Sequence, residues 1–465
     1  MTNKFVYFTS LVLENVRAFG DRQELLLTSN ENTSTPAQWT LIIGENGTGK
    51  TTLLQCLANM RPVPNKRKLD KKPKVVDPVD EKPNAVDPAL SDEPDTETFD
   101  ALARVGQDVN LFLRATLSLG TPLNATNKKE PKSIFTSLLV ERKAGKVVTV
   151  EPDGTLTDDF EEPLVIGYGA SRHMGYANSS QIALTAPAAS LFDSSVELFD
   201  AEEILQLLDY SQLKKEHGAG NVLTRLKAAL ATILPRIGVP ENIEIHGPKS
   251  LGLKGKKGVY ARTPTGLVPF SSLSLGYQTI SAWTIDIAWR LFQKYPESAN
   301  PLSEPAIVLV DEIDLHLHPK WQRQIRRDLS EHFPNVQFIA TAHSPLMAQT
   351  YLDANLAVIR LEHRPEHPLE HCQAMIVNDP LVIQDWRLDQ VITSDLFGLA
   401  SARPPDIEAK MLRRVALIRK IKKSAAETKE LEELDHILEG LPSEESHADN
   451  DAMEIIRRAA HALKQ

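Results

Sequence analysis

The stretch WTLIIGENGTGKTTLLQCLANM, Trp39 to Met60, decides the fold. WTLIIG (39–44) is a short apolar run with the character of a buried strand, and TTLLQCLANM (51–60) reads as a helix. Between them lies G-x-x-x-x-G-K-T, with a strand before it and a helix after it. Glycines let backbone amides turn inward toward phosphate oxygens, and a helix N-terminus favours an anion. Gly44, Asn46, Gly47, Gly49, Lys50, Thr51 and Thr52 form the expected nucleotide-binding set. Lys50 carries charge to the β- and γ-phosphates of ATP, and the Thr51 hydroxyl is placed to ligate Mg²⁺.

Working outward, AIVLVDEID (306–314) is an apolar strand that ends in acids. Asp311 is the expected partner of Mg²⁺, and Glu312 is placed to polarise an attacking water. SSLSLGYQT (271–279) puts Ser274 and Gly276 at the start of a long apolar-faced helix over 276–293. ATAHSP (340–345) sets His343 directly after a strand, about 30 residues beyond Glu312. LEHRPEHPLEHCQ (361–373) offers His363, His367, His371 and Cys372, but Pro365 and Pro368 break any helix that would align them, so no metal site is expected there.

The rest of the chain supplies a body for these motifs. Strands are expected over 5–28, 109–119, 137–142, 146–156, 164–170, 336–343, 355–362 and 373–377. Helices are expected over 195–216, 221–238 and 321–333, and the chain from 384 onward reads as helical and charged. Residues 61–98 are crowded with Pro, Lys, Asp and Glu and have little to bury, which predicts a solvated surface insertion. The implied organisation is an ATPase lobe (1–193), a helical lobe (194–272), the remainder of the core (273–383) and a C-terminal helical region (384–465).

Composition bounds the setting. The 465 residues are 42% hydrophobic, enough for a sizeable core. A formal charge of −10 argues against a generally basic nucleic-acid coat but not against a local basic groove. Two distant cysteines, Cys56 and Cys372, build no disulfide framework, which points to a reducing, cytoplasmic compartment. The N-terminus lacks the pattern of a signal peptide, and no apolar run is long enough for a membrane helix.

The order of glycine loop, LSLG, DEID and histidine resembles the ABC-type ATPases that include RecF, SMC proteins and OLD-family nucleases. That resemblance implies an α/β fold: an ABC-type core with a mixed sheet, a helical lobe and C-terminal helices. It implies that Ser274 and Gly276 meet ATP held by a second subunit, that Asp314 couples the two sites of a dimer, that His343 senses the γ-phosphate, and that Arg17 in ENVRAF lies near nucleotide. GYGASR (167–172) is similar to a segment of related ATPases, which makes Arg172 a candidate for the site, and Gln107 and Gln181 are open alternatives for the family's glutamine. Two departures narrow it. Only about 220 residues separate Lys50 from Ser274, without sustained heptads, so no long coiled-coil arm fits. The final 90 or so residues carry no Toprim acid set. What remains is similar to the ATPase subunits of bacterial anti-phage systems, Septu above all, with the PARIS ATPase as close competitor. LFDSSVELFDAEEILQLLD (191–209) and DWRLDQVITSDLFGLASARPP (385–405) add to that impression. The resemblance implies a homodimer or larger oligomer, a separate HNH or Toprim nuclease effector, and C-terminal helices (404–440 and 451–464) that dock the partner or cap the core. A RecF/SMC-like repair ATPase that binds DNA directly is the alternative, and a transporter's ATPase subunit fits the motifs less well.

Overall fold

The computed structural model describes residues 4–29, 32–60, 101–103, 110–120, 122–123, 131–143, 146–154, 160–171, 186–198, 200–234, 237–246, 258–350, 355–363, 372–378, 386–394, 397, 399, 401–420 and 422–439. The proposed insertion (61–98), Arg172, Gln107, Gln181, His367, His371 and the second C-terminal helix (451–464) lie outside them. The chain divides into two compact units, Met1–Val391 and Ile392–Gln465.

The larger unit is built on two sheets. In chain order the strands are β1 (Val6–Glu14), β2 (Gln23–Leu26), β3 (Thr28–Ser29), β4 (Asn32–Pro36), β5 (Trp39–Gly44), β6 (Leu111–Leu119), β7 (Lys132–Lys143), β8 (Lys146–Gly154) and β9 (Val165–Tyr168). They continue with β10 (Ile243–His246), β11 (Gly258–Thr263), β12 (Gly266–Pro269), β13 (Ala306–Val310), β14 (Val336–Ala342), β15 (Asn355–His363) and β16 (Cys372–Asn378). Six of them form a mixed sheet in the order β16-β15-β5-β14-β13-β9. Every neighbouring pair in it is parallel except β15 with β16. β13 and β14 are buried along their whole length, which explains why AIVLV reads as a continuous apolar run and VQFIATA as a largely apolar one. The second sheet is antiparallel, in the order β2-β1-β6-β7-β8. Over its first six residues β6 alternates buried and half-buried positions, as a sheet with one face on the core should.

Helix α1 (Lys50–Asn59) follows β5 and buries seven of its ten residues. Leu53, Leu54, Cys56 and Leu57 share one core with Leu11 and Leu13 of β1, Leu113 of β6 and Ile339 of β14. Side-chain bonds also join the sheets. Gln337 is fully buried on β14; its Oε1 accepts the Phe8 amide at 2.9 Å and its Nε2 donates to the Phe8 carbonyl at 2.8 Å. It thus pairs with β1 as a neighbouring strand would.

Helices α2 (Ala201–Leu213) and α3 (Ala219–Ile233), with the small sheet β10-β11-β12, precede helix α4 (Leu275–Lys294). α2 starts later than periodicity predicts because Asp200 caps it, accepting from the amides of Glu202 and Glu203. The helix expected over 321–333 is two pieces, α5 (Pro319–Gln322) and α6 (Ile325–His332). α7 (Pro345–Thr350) and α8 (Leu388–Ile392) follow among the described residues, and α8 ends at the first residue of the second unit. In the smaller unit, α9 (Pro405–Arg419) is joined to α10 (Ala425–Glu439) by the Arg413–Glu430 and Arg414–Asp435 pairs, and Leu417 and Leu434 are buried. No described helix is long and apolar enough to cross a membrane.

Replacing Gln337 with Leu keeps its bulk but strips two buried backbone groups of their partner. The loss of stability is expected to be on the order of 2–4 kcal/mol. A urea-unfolding midpoint equal to wild type would show that the two sheets do not depend on this side chain.

Candidate functional site

The parallel strands end together. Ile43 of β5 is level with Ala342 of β14, and Val310 of β13 is level with Ala340 of β14 and Tyr168 of β9. The loops that leave these C-terminal ends therefore converge, the usual place for a ligand in a parallel α/β sheet.

The glycine loop leaves β5 at Gly44. Gly47 and Gly49 have φ of +78° and +99°, the left-handed region. A Cβ on Gly49 would also come within 2.7 Å of the Phe19 ring, so no other residue fits without displacement. α1 then begins at Lys50 with no side-chain cap, which leaves its first amides available to an anion. Lys50 Nζ folds back onto the carbonyls of Gly44 and Glu45, at 2.9 and 2.8 Å. Burial holds the Lys50 ammonium below its ordinary pKa, while Asp311, Glu312 and Asp314 pull it upward. Asn46 is exposed, while Thr48 and Thr52 are buried.

Asp311 joins this loop to two strand ends. Thr51 Oγ1 donates to its Oδ2 at 2.8 Å, and Thr341 Oγ1 donates to its Oδ1 at 2.6 Å. Thr341 Oγ1 in turn accepts the Glu312 amide at 2.7 Å. Glu312 has φ of +48°, unusual for a residue with a side chain, and is half-buried. Such strain is found where a side chain must be aimed. A hydroxyl and a carboxylate in contact are the hard oxygen ligands that Mg²⁺ takes, so the residues present fit that ion.

A second cluster sits beside it. Asp314 Oδ2 accepts the amides of His343 and Ser344, at 3.0 and 2.8 Å, which fixes the chain just after β14. Ser344 Oγ continues to Gln322 at 2.6 Å. His318 caps α5 by accepting the Lys320 amide.

Ser274 is the N-cap of α4; it is exposed, and its side chain caps no backbone amide. Gly276 is buried so closely under the His316 carbonyl that a Cβ would lie 2.4 Å from that oxygen. Tyr277 packs edge-on against Trp321, ring centroids 4.5 Å apart. Among the described residues no hydrogen bond joins Ser274 or Gly276 to the glycine loop. Arg17, with φ of +41°, lies along α1: its Nη1 reaches Thr52 Oγ1 at 3.3 Å and Gln55 Oε1 at 3.1 Å. His363 Nδ1 is 3.1 Å from Cys372 Sγ, and no group of three or more metal-ligating side chains occurs among the described residues.

The fold thus gathers Lys50, Thr51, Asp311 and Glu312 and sets Asp314 beside His343, while Gly276 packs under the His316 carbonyl and Ser274 stays exposed. Thr341 is a member of the site that the sequence does not single out. Its one signal is a lone hydroxyl near the end of a largely apolar strand, and its bond to Asp311 is visible only once β13 and β14 are paired.

The family described as "AAA domain, putative AbiEii toxin, Type IV TA system" matches residues 40–348, about two-thirds of the chain. The chain is 48% identical over 94 residues to the "Retron Vc95 probable ATPase" of Vibrio cholerae serotype O1 biovar El Tor, covering 20% of this chain and 18% of that one. It is 39% identical over 140 residues to the "Retron Ec83 probable ATPase" of Escherichia coli, covering 30% and 23%. It is 24% identical over 379 residues to the "Septu protein PtuA" of Bacillus mycoides (strain KBAB4), covering 80% and 42%. The chain spans less than half the length of these curated relatives.

Thr341→Val removes the bond to Asp311 and the acceptor for the Glu312 amide while preserving shape. It is expected to cost about 1–3 kcal/mol of stability. Thermal melts of the two proteins side by side give the answer, and equal melting temperatures would refute this account of the junction.

Proposed function

The chain belongs to this AAA-domain family, and we propose that it is the ATP-binding and ATP-hydrolysing subunit of an anti-phage defence complex. The observation that carries the ATPase reading is the 2.8 Å contact between Thr51 and Asp311, which joins the glycine loop to the acidic strand end across 260 residues of sequence. The Septu and retron relatives, two of them described as probable ATPases, support the setting.

Lys50 exchanges its two loop carbonyls for the β- and γ-phosphates of ATP, beside the free amides that open α1. Thr51 and Asp311 would hold Mg²⁺, which neutralises phosphate charge when bound. Glu312 accepts a hydrogen bond from the attacking water and polarises it. His343 reaches the γ-phosphate, with its backbone held by Asp314. Ser274 and Gly276 face nucleotide held by a second copy, and the uncommitted Ser274 side chain at a helix start suits that task. Each copy then completes the other's site, so ATP acts as a dimer glue and its binding can signal even when turnover is slow. The output is control of a separate nuclease, HNH or Toprim, during infection. Residues 1–193 and 273–383 carry the nucleotide core, 194–272 the helical lobe, and 384–465 the region that docks a partner or caps the core.

Lys50→Ala is expected to abolish ATP binding in a fluorescent-nucleotide titration. Glu312→Gln should bind ATP, accumulate as a closed dimer and lose about 10²–10⁴-fold in turnover. Glu312→Gln protein that hydrolyses ATP at the wild-type rate would overturn the catalytic assignment.

A further inference from the structure

Tyr168 closes β9, and its two ends serve different parts of the molecule. Its carbonyl accepts the Asp311 amide at 2.8 Å, so its backbone helps to set the residue that meets Thr51. Its hydroxyl donates to Asp286 Oδ2 at 2.6 Å and also lies 3.3 Å from the Trp283 carbonyl. Asp286 belongs to α4, the helix that opens at Ser274. The same Oδ2 accepts Arg290 Nε at 2.8 Å, one helical turn further on.

Asp286 is fully buried, and its Oδ1 has no hydrogen-bond partner among the described residues. Burial is the largest influence on the Arg290 pKa and would depress it; the Asp286 charge, Tyr168 and the Asp286 hydrogen bond together outweigh it and hold that pKa above its ordinary value. A buried carboxylate with one oxygen unfilled is an expensive way to hold a helix, and apolar packing often does as well or better. What a directed bond adds is position.

The position matters because α4 is held at two points. At its start, Gly276 is clamped under the His316 carbonyl, in the loop that follows Asp311 and Glu312. Ten residues later, roughly 15 Å along the helix axis at 1.5 Å per residue, Asp286 is bonded to the neighbour of Asp311 on β9. A rod fixed at two points to one body must follow that body's movements.

We propose that Tyr168 and Asp286 are positioning residues that carry the state of Asp311 to Ser274 and Gly276, so that ATP bound in one copy sets the angle at which its own α4 presents those residues to the next copy. This rests on the reading of the chain as an ATPase that closes across two copies. Neither residue touches nucleotide; both act through others.

Tyr168→Phe deletes the hydroxyl and keeps the backbone carbonyl and the ring beside Trp283; Asp286→Asn keeps the shape and removes the charge. Purified full-length variants are compared with wild type at a temperature where circular dichroism shows all three folded. ATP affinity should stay within about twofold of wild type in both, while ATP-driven dimerisation and kcat fall about tenfold, the loss expected for one hydrogen bond to a charged group. Variants that melt lower yet dimerise and turn over ATP like wild type would reduce the pair to a structural bond and overturn the proposal. Equal losses of ATP affinity and of kcat would overturn it too, because they would place the defect in the nucleotide pocket. A wild-type protein that binds no ATP would fell the ATPase reading and this proposal together, and that result needs no variant.

Discussion

Both oxygens of Asp311 are engaged, one by Thr51 at the head of α1 and the other by Thr341 near the end of β14. This is the constraint on which the molecule's architecture turns. A carboxylate at a strand tip reaches a helix on one side and a neighbouring strand on the other only if three strands end level with one another. A slip of one residue in β13 would send the Asp311 side chain to the opposite face of the sheet. The continuous burial of β13 and β14 is what prevents slippage, and the apolar core around Leu53, Leu54 and Ile339 holds α1 against the sheet. Non-directional burial supplies the energy; a few directed bonds fix the register.

Charge balance at the same place argues for what binds there. Asp311, Glu312 and Asp314 all act on one ammonium, Lys50, which burial itself disfavours. Among the described residues three acids bear on this one ammonium, with the Arg17 guanidinium committed to Thr52 and Gln55, which leaves an excess of negative charge around Lys50. A tetra-anionic nucleotide alone would worsen that imbalance, so its entry calls for a divalent cation. The pair of oxygen ligands at Thr51 and Asp311 supplies the place for one.

Much of this was legible in the sequence, for a physical reason: backbone geometry at the loop is a local property. Gly47 and Gly49 need positive φ, and a glycine announces that need by itself. Apolar runs announce buried parallel strands equally well. Other features were hidden because they depend on which strands pair. Gln337 looks like a stray polar residue in VQFIATA until Phe8 lies opposite it, some 329 positions away. The left-handed backbone of Glu312 has no glycine to signal it. Arg17 was expected near nucleotide, and its guanidinium contacts the α1 side chains Thr52 and Gln55. Tyr168 and Asp286 are far apart in two segments that each read as ordinary core.

The two ends of α4 carry this reasoning one step further. Ser274 is exposed and caps nothing, whereas Gly276, two residues on, has no room for a methyl group. One position is committed to its own chain and the other is not. A helix start built only for local stability would use its serine as a cap, which is worth about 1 kcal/mol. Leaving that stabilisation unclaimed, next to a Leu275 that is 52% exposed, costs the isolated subunit something on two counts. Both costs are removed if a second copy covers this edge, with nucleotide phosphate meeting Ser274 and protein meeting Leu275. On the proposed two-copy reading the exposed helix start and the site would share one interface, and the tight Gly276–His316 contact would keep that interface in fixed relation to Asp311.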